Sequence, residues 1–129
     1  MYNRMKTIKA KYSNEIPDDY TGIVEFEYGS KAWIKNGLWH REDGPAYIDI
    51  GYNGGEEWWL GGERVWDSNW NKLNLRNKII LSKEIHPKYP TVKVLKYIDE
   101  YGIKEKIIIP GMEEYIQQYP SSIHLSFGR

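Results

Sequence analysis

Trp33-Ile34-Lys35-Asn36-Gly37-Leu38-Trp39-His40-Arg41-Glu42-Asp43-Gly44-Pro45-Ala46 is the stretch that decides how this chain folds. Asn36-Gly37 is the dipeptide that most readily takes positive φ at both central positions of a type I′ turn, so its flanks read as the arms of a β-hairpin. Asp43-Gly44-Pro45 bends the chain again, since proline cannot donate to a sheet ladder and glycine brings no Cβ. Upstream, residues 22–28 alternate in β-favouring types and stop at Gly29-Ser30, with Lys31–Lys35 as the return strand. Downstream, residues 46–50 make the next strand, Asn53-Gly54-Gly55 the next turn and residues 56–60 another strand, which Gly61-Gly62 closes. Residues 22–66 therefore predict an antiparallel, twisted hairpin meander.

A shift of 25 positions superposes Gly29 on Gly54, Trp33 on Trp58 and Gly37 on Gly62, while Asn36 meets Gly61. These are the turn glycines and the strand tryptophan, the positions a hairpin repeat most needs. The second copy has lost the charged motif, because Val65-Trp66-Asp67-Ser68 stands where the first has His40-Arg41-Glu42-Asp43.

Trp33, Asn36, Gly37, His40, Arg41, Asp43, Gly44, Pro45 and Ala46 make the region resemble the short MORN-like hairpin repeats of bacteriophages, giant viruses and some bacteria. The match, with its degraded copy at Trp58 and Gly62, covers about a third of the chain. The resemblance implies a twisted antiparallel hairpin stack, a phage or viral protein acting in the host cytosol, and no shared enzymatic activity.

Elsewhere the pattern changes. Residues 7–12 read as a first strand and residues 13–20, with Pro17, Asp18 and Asp19, as an exposed loop. Residues 78–81 form a short apolar run, and His86-Pro87-Lys88-Tyr89-Pro90 a turned connection. Thr91, Val94, Leu95, Ile98 and Tyr101 fall on one helical face after Pro90, which favours a helix over 91–101. The rival reading is a strand that turns at Asp99-Glu100-Tyr101-Gly102 into residues 103–109. Residues 107–109 read as a buried strand, residues 112–118 as a short helix ended by Pro120, and residues 121–129 as a fraying tail. The expected class is α+β, mainly β: one domain over 1–129, with a C-terminal extension (67–129) that carries one or two short helices and packs on the repeat region.

Composition bounds the function. Eighteen Lys and Arg balance eighteen Asp and Glu, giving no global electrostatic reason to expect bulk nucleic acid. No cysteine is available for disulfides, thiolate metal sites or a cysteine nucleophile, which suits a cytoplasmic location. Residues 1–6 lack the apolar core of a signal peptide, and no stretch reaches the roughly 20 apolar residues of a membrane span, so no membrane partner is expected. Aromatic residues make up 15% of the chain although mean hydropathy is −0.70, and all six tryptophans fall between positions 33 and 70.

His40, Arg41, Glu42 and Asp43 are the one dense cluster of functional groups. On an extended chain His40 and Glu42 share one side and Arg41 and Asp43 the other, which suits ion pairs supporting a turn better than a catalytic pair. A small hydrolase using His40 and Glu42 is the third-ranked possibility. His40, His86 and His124 share no ligand spacing, so neither metal nor cofactor is expected. No nucleophile elbow, Walker loop or dinucleotide fingerprint occurs. Trp33 and Trp58 occupy the periodic position and belong in the core. Trp39, Trp59 and Trp66 lie off it, and together with His40, Arg41 and Arg64 they form the candidate ligand-binding set, aromatic rings to stack a planar group and guanidinium to hold an anion. The leading expectation is a non-enzymatic binding protein that sequesters a nucleotide-derived signalling molecule, a counter-defence role that extends the resemblance. The alternative is a protein interaction module that inhibits a host protein or self-associates.

Overall fold

Asn36 (φ 51°) and Gly37 (φ 79°) take the paired positive φ of a type I′ turn, and around that turn the N-terminal half of the chain is organised. The computed structural model describes residues 5–51 and 54–117. The chain is mainly β, and its contacts divide it into two compact units, residues 1–70 and 71–129.

The first unit carries β1 (Thr7–Ala10), β2 (Gly22–Phe26), β3 (Lys31–Lys35), β4 (Leu38–Trp39), β5 (Tyr47–Asp49), β6 (Gly55–Leu60) and β7 (Glu63–Asp67). They form one sheet in the order β1-β2-β3-β5-β6-β7, with β4 paired to β3 off that path. From β2 onward the pairing is the antiparallel meander that the turn residues predict. The exception is β1, which runs parallel to β2, Thr7 opposite Ile23 through Ala10 opposite Phe26. Parallel neighbours need a long connection, and residues 11–21 supply it, including a 3-10 turn at Ser13–Glu15. The Tyr20 hydroxyl fastens this crossover, lying 3.1 Å from the Lys6 carbonyl and 2.8 Å from that of Ile23. Burial pushes its pKa above the usual tyrosine value.

Alternation sends Val24 and Phe26 of β2 and Ala32 and Ile34 of β3 to one face, where with Ala10 and Tyr20 they form the core of this unit. Ile8, Ile16, Trp39 and Tyr47 pack against it. A fully buried side chain such as Val24 or Ile34 contributes roughly 1.5–3 kcal/mol. Gly37 has no alternative here, since a Cβ would run into the Asp18 carbonyl.

The second unit carries β8 (Leu73–Asn74), β9 (Ile79–Ile85), β10 (Lys93–Asp99), β11 (Gly102–Ile108) and β12 (Ile116–Gln117). β10 is the centre of an antiparallel sheet with β9 and β11 on its two sides, and β12 pairs in parallel with β8. The helix expected over 91–101 is therefore a strand, and the rival reading holds, with the turn at Asp99 to Gly102. Val94, Leu95 and Ile98 do fit a helical stripe. A central strand paired on both sides also takes apolar residues without strict alternation, and that pairing outweighs the stripe. Tyr101, expected on the same helical face as Val94 and Leu95, is 81% exposed in the turn. The short helix expected at 112–118 shrinks to one 3-10 turn, Met112–Tyr115, because Ile116 and Gln117 leave it to pair with β8. Asn53, Pro120 and the tail 121–129 lie outside the described residues. No helix among the described residues is long and apolar enough to cross a membrane.

Candidate functional site

The charged motif leaves the sheet between two stretches of strand that both pair with β3. Ile34 and Lys35 face Trp39 and Leu38 of β4, while Lys31 and Ala32 face Ile48 and Tyr47 of β5. His40 N–H donates to the Trp33 carbonyl and Trp33 N–H to the Ala46 carbonyl, closing the excursion at its ends. The expected two-sided alternation is present as two short contacts, His40 Nε2 to Glu42 Oε2 and Arg41 Nε to Asp43 Oδ1, both at 2.8 Å.

His40 is buried, and Gly61 N–H donates to its Nδ1 at 2.8 Å. Nδ1 therefore carries no proton, which places the proton of the neutral ring on Nε2, where it donates to Glu42. Gly62 N–H donates to the Trp39 carbonyl and Arg41 N–H to the Trp59 carbonyl. The segment 39–41 thus ties the first hairpin to the tip of the second. With both ring nitrogens engaged, His40 offers structural linkage and no open lone pair for a substrate.

The Arg41 guanidinium lies 4.0 Å above the Trp33 ring and also donates to the Pro45 carbonyl at 3.1 Å. A Cβ on Gly44 would meet its Cζ at 2.9 Å, so glycine at 44 makes room for the arginine. The motif is a self-bracing plug whose polar groups satisfy one another.

The other predicted residues divide between the two faces of the sheet. Trp39 stacks on Tyr47 at 5.0 Å and meets Trp59 edge-on at 5.4 Å. Trp59 pairs across the hairpin with Arg64, whose guanidinium sits 5.8 Å from the Trp59 ring centre and 5.1 Å from that of Trp70. Trp66 is not with them. An extra residue in β7 shifts the register between Trp58 and Trp59, so Trp66 faces Trp58, and neighbours on a strand point to opposite sides. Trp66 is buried there and meets Trp70 edge-on at 5.4 Å. Trp58 is core, as its periodic position predicts, whereas Trp33 is half-buried beneath Arg41.

Trp39 and Trp59 line a shallow concavity of about 300 Å³ with Gly37, Leu38 and Gly62, open to solvent. Leu38, Tyr47, Glu57 and Gly62 are absent from the predicted set. Leu38 is the informative omission, half exposed and resting against Gly62, and its signal is an apolar residue directly after a type I′ turn. Glu57 accepts from the Trp59 indole at 2.9 Å, and Asp67 lies 3.2 Å and Glu57 3.9 Å from Arg64. Arg64 is matched by two carboxylates and Arg41 by one. No group of His, Asp and Glu able to hold a metal ion occurs among the described residues. No protein-family model, curated protein or solved structure matches the chain.

Proposed function

We propose that the protein is a non-enzymatic binding protein that recognises a protein partner through the Leu38–Trp39–Trp59–Gly62 groove. The carrying observation is the groove's shape, an open apolar concavity with a half-exposed leucine beside two tryptophans. Small-ligand sites bury most of their ligand, whereas exposed apolar surface with a polar rim is typical of protein contacts. Tryptophan is among the residues that dominate interface energetics. Glu57, held against the Trp59 indole beside the groove, favours a partner segment that offers a large apolar side chain next to lysine or arginine.

A phage-displayed random peptide library panned in parallel on the wild type and on Leu38→Asp tests this. Leu38 is exposed enough for the variant to keep its fold, and the charge desolvated in an apolar groove lowers recovery at least about tenfold. Basic-apolar peptides enriched on the wild type alone are the expected result. Equal recovery on both proteins overturns the reading.

The placement of Arg64 beside Trp59 favours a second reading, a planar anionic ligand such as the nucleotide-derived signal expected above. The two carboxylates on Arg64 weigh against it. Stabilisation by adenine or cyclic nucleotides in a thermal-shift panel, abolished by Arg64→Ala, would put this reading first.

A further inference from the structure

The backbone around the Leu38–Trp39–Trp59–Gly62 groove is already committed. Gly37 N–H donates to the Tyr20 carbonyl, Gly62 N–H to the Trp39 carbonyl, Arg41 N–H to the Trp59 carbonyl and Gly61 N–H to His40 Nδ1. Leu38 pairs with Lys35 across the type I′ turn. A partner strand therefore meets no run of free donors and acceptors to extend, and strand addition is a poor way to hold a peptide here. An amphipathic helix is equally ill served, because its anchors at i, i+3, i+4 and i+7 need a long groove and five residues line this one.

What remains is side chains. Trp39 and Trp59 meet with their planes 62° apart, and Tyr47 stacks on Trp39, so the three rings brace one another and the groove keeps its shape without a ligand. An open concavity of about 300 Å³ buries little apolar surface, so its occupant must lose little freedom on binding. A polyproline II segment meets that condition. It is extended before it binds, has no internal hydrogen bonds to break, and docks its proline rings on aromatic walls. Charge sets the flank. Glu57 and Asp67 share the one guanidinium of Arg64, which leaves one net negative charge, and Glu57 is fixed beside Trp59 by the indole N–H. Lys35, opposite Leu38, has its own carboxylate in Glu42 at 3.8 Å.

We propose that the groove takes a proline-rich segment in the polyproline II conformation, its apolar residues against Trp39, Trp59 and Leu38 and a flanking lysine or arginine beside Glu57. The inference rests on the reading of this groove as a protein-partner site and narrows that partner to one backbone conformation.

Fluorescence anisotropy of two labelled peptides, titrated with the full chain, tests it. One is Lys-Pro-Pro-Leu-Pro-Pro-Leu-Pro-Lys, and the other has alanine at every proline, with the leucines and lysines kept. The proline peptide is expected to bind saturably and at least about tenfold more tightly, since each proline removes freedom that the bound chain would otherwise lose. Leu38→Asp lowers its affinity at least about tenfold. Exchanging its two lysines for glutamate weakens binding to the wild type at least about fivefold, and Glu57→Gln, which keeps an acceptor for the Trp59 indole, removes most of that difference. Equal or tighter binding of the alanine peptide overturns the polyproline proposal and leaves the groove standing as a partner site. Failure of both peptides to bind overturns it as well, and the wider reading falls with it only if the panned library is also recovered equally on the wild type and Leu38→Asp. Binding indifferent to Leu38→Asp, or a lysine preference indifferent to Glu57→Gln, places the peptide elsewhere and overturns the proposal.

Discussion

At the scale of single residues, the clearest dependence is that of Gly44 on Arg41. Gly44 does not take a left-handed conformation, so its requirement is space for the guanidinium, which is held by Trp33, Asp43 and the Pro45 carbonyl. A methyl group at 44 displaces that guanidinium and weakens contacts worth roughly 0.5–1.5 kcal/mol each. Gly44→Ala is expected to cost about 1–2 kcal/mol in the wild type and under about 0.5 kcal/mol in an Arg41→Ala background. Urea denaturation of the four proteins of this cycle measures the coupling; additive losses would show that Arg41 is not what glycine accommodates. The same residues show what the sequence made legible. Alternation gives the His40–Glu42 and Arg41–Asp43 pairs directly, because residues two apart share a side of an extended chain. The link from His40 to Gly61 spans 21 positions, and no local rule reports it.

At the scale of elements, the two copies of the hairpin run the same turn with different residues. Asn36 and Gly37 have φ 51° and 79°, and their equivalents Gly61 and Gly62 have φ 55° and 84°. Asparagine tolerates this conformation, and a Cβ on Gly61 would meet nothing within 4 Å. Gly61→Asn is therefore expected to stabilise the protein by about 0.4–1 kcal/mol, through the unfolded chain's lost freedom, and to keep the N–H that His40 accepts. Thermal melting reads this as a higher Tm; a lower Tm would mean that the second turn needs more than left-handed φ. Turn chemistry is also why β2 through β6 were readable in advance, since each bend carries its own glycine, asparagine or proline. Other features lack such local marks. Residues 7–12 alternate alike for a parallel or an antiparallel neighbour, so the pairing of β1 is invisible before the crossover is seen. Residues 93–98 satisfy helix and central strand together, and only β9 and β11 on either side decide between them. Trp66 was misplaced for a related reason, because one extra residue in β7 moves it to the face of Trp58.

At the scale of the whole molecule, net charge is the wrong summary of this chain. A formal charge of zero and a pI near 6.8 describe a protein without electrostatic preference, yet the N-terminal unit is acidic by four charges and the C-terminal unit basic by four. Exposed charges sense one another only within a Debye length, about 10 Å at 0.1 M salt, so a resin reads the patch in front of it and not the total. At pH 7 and low salt the full chain is accordingly expected to be retained on both an anion exchanger and a cation exchanger, whereas a neutral protein with evenly mixed charge passes through each. A variant with Lys83→Glu and Lys104→Glu separates patch from total. It should elute from the cation exchanger at distinctly lower salt than Lys96→Glu with Arg76→Glu, which makes the same change in net charge but leaves the exposed Lys83 and Lys104 in place. Equal elution of the two variants would show that the resin responds to total charge, and flow-through of the wild type on both columns would show that the acidic and basic residues are not presented as separate surfaces.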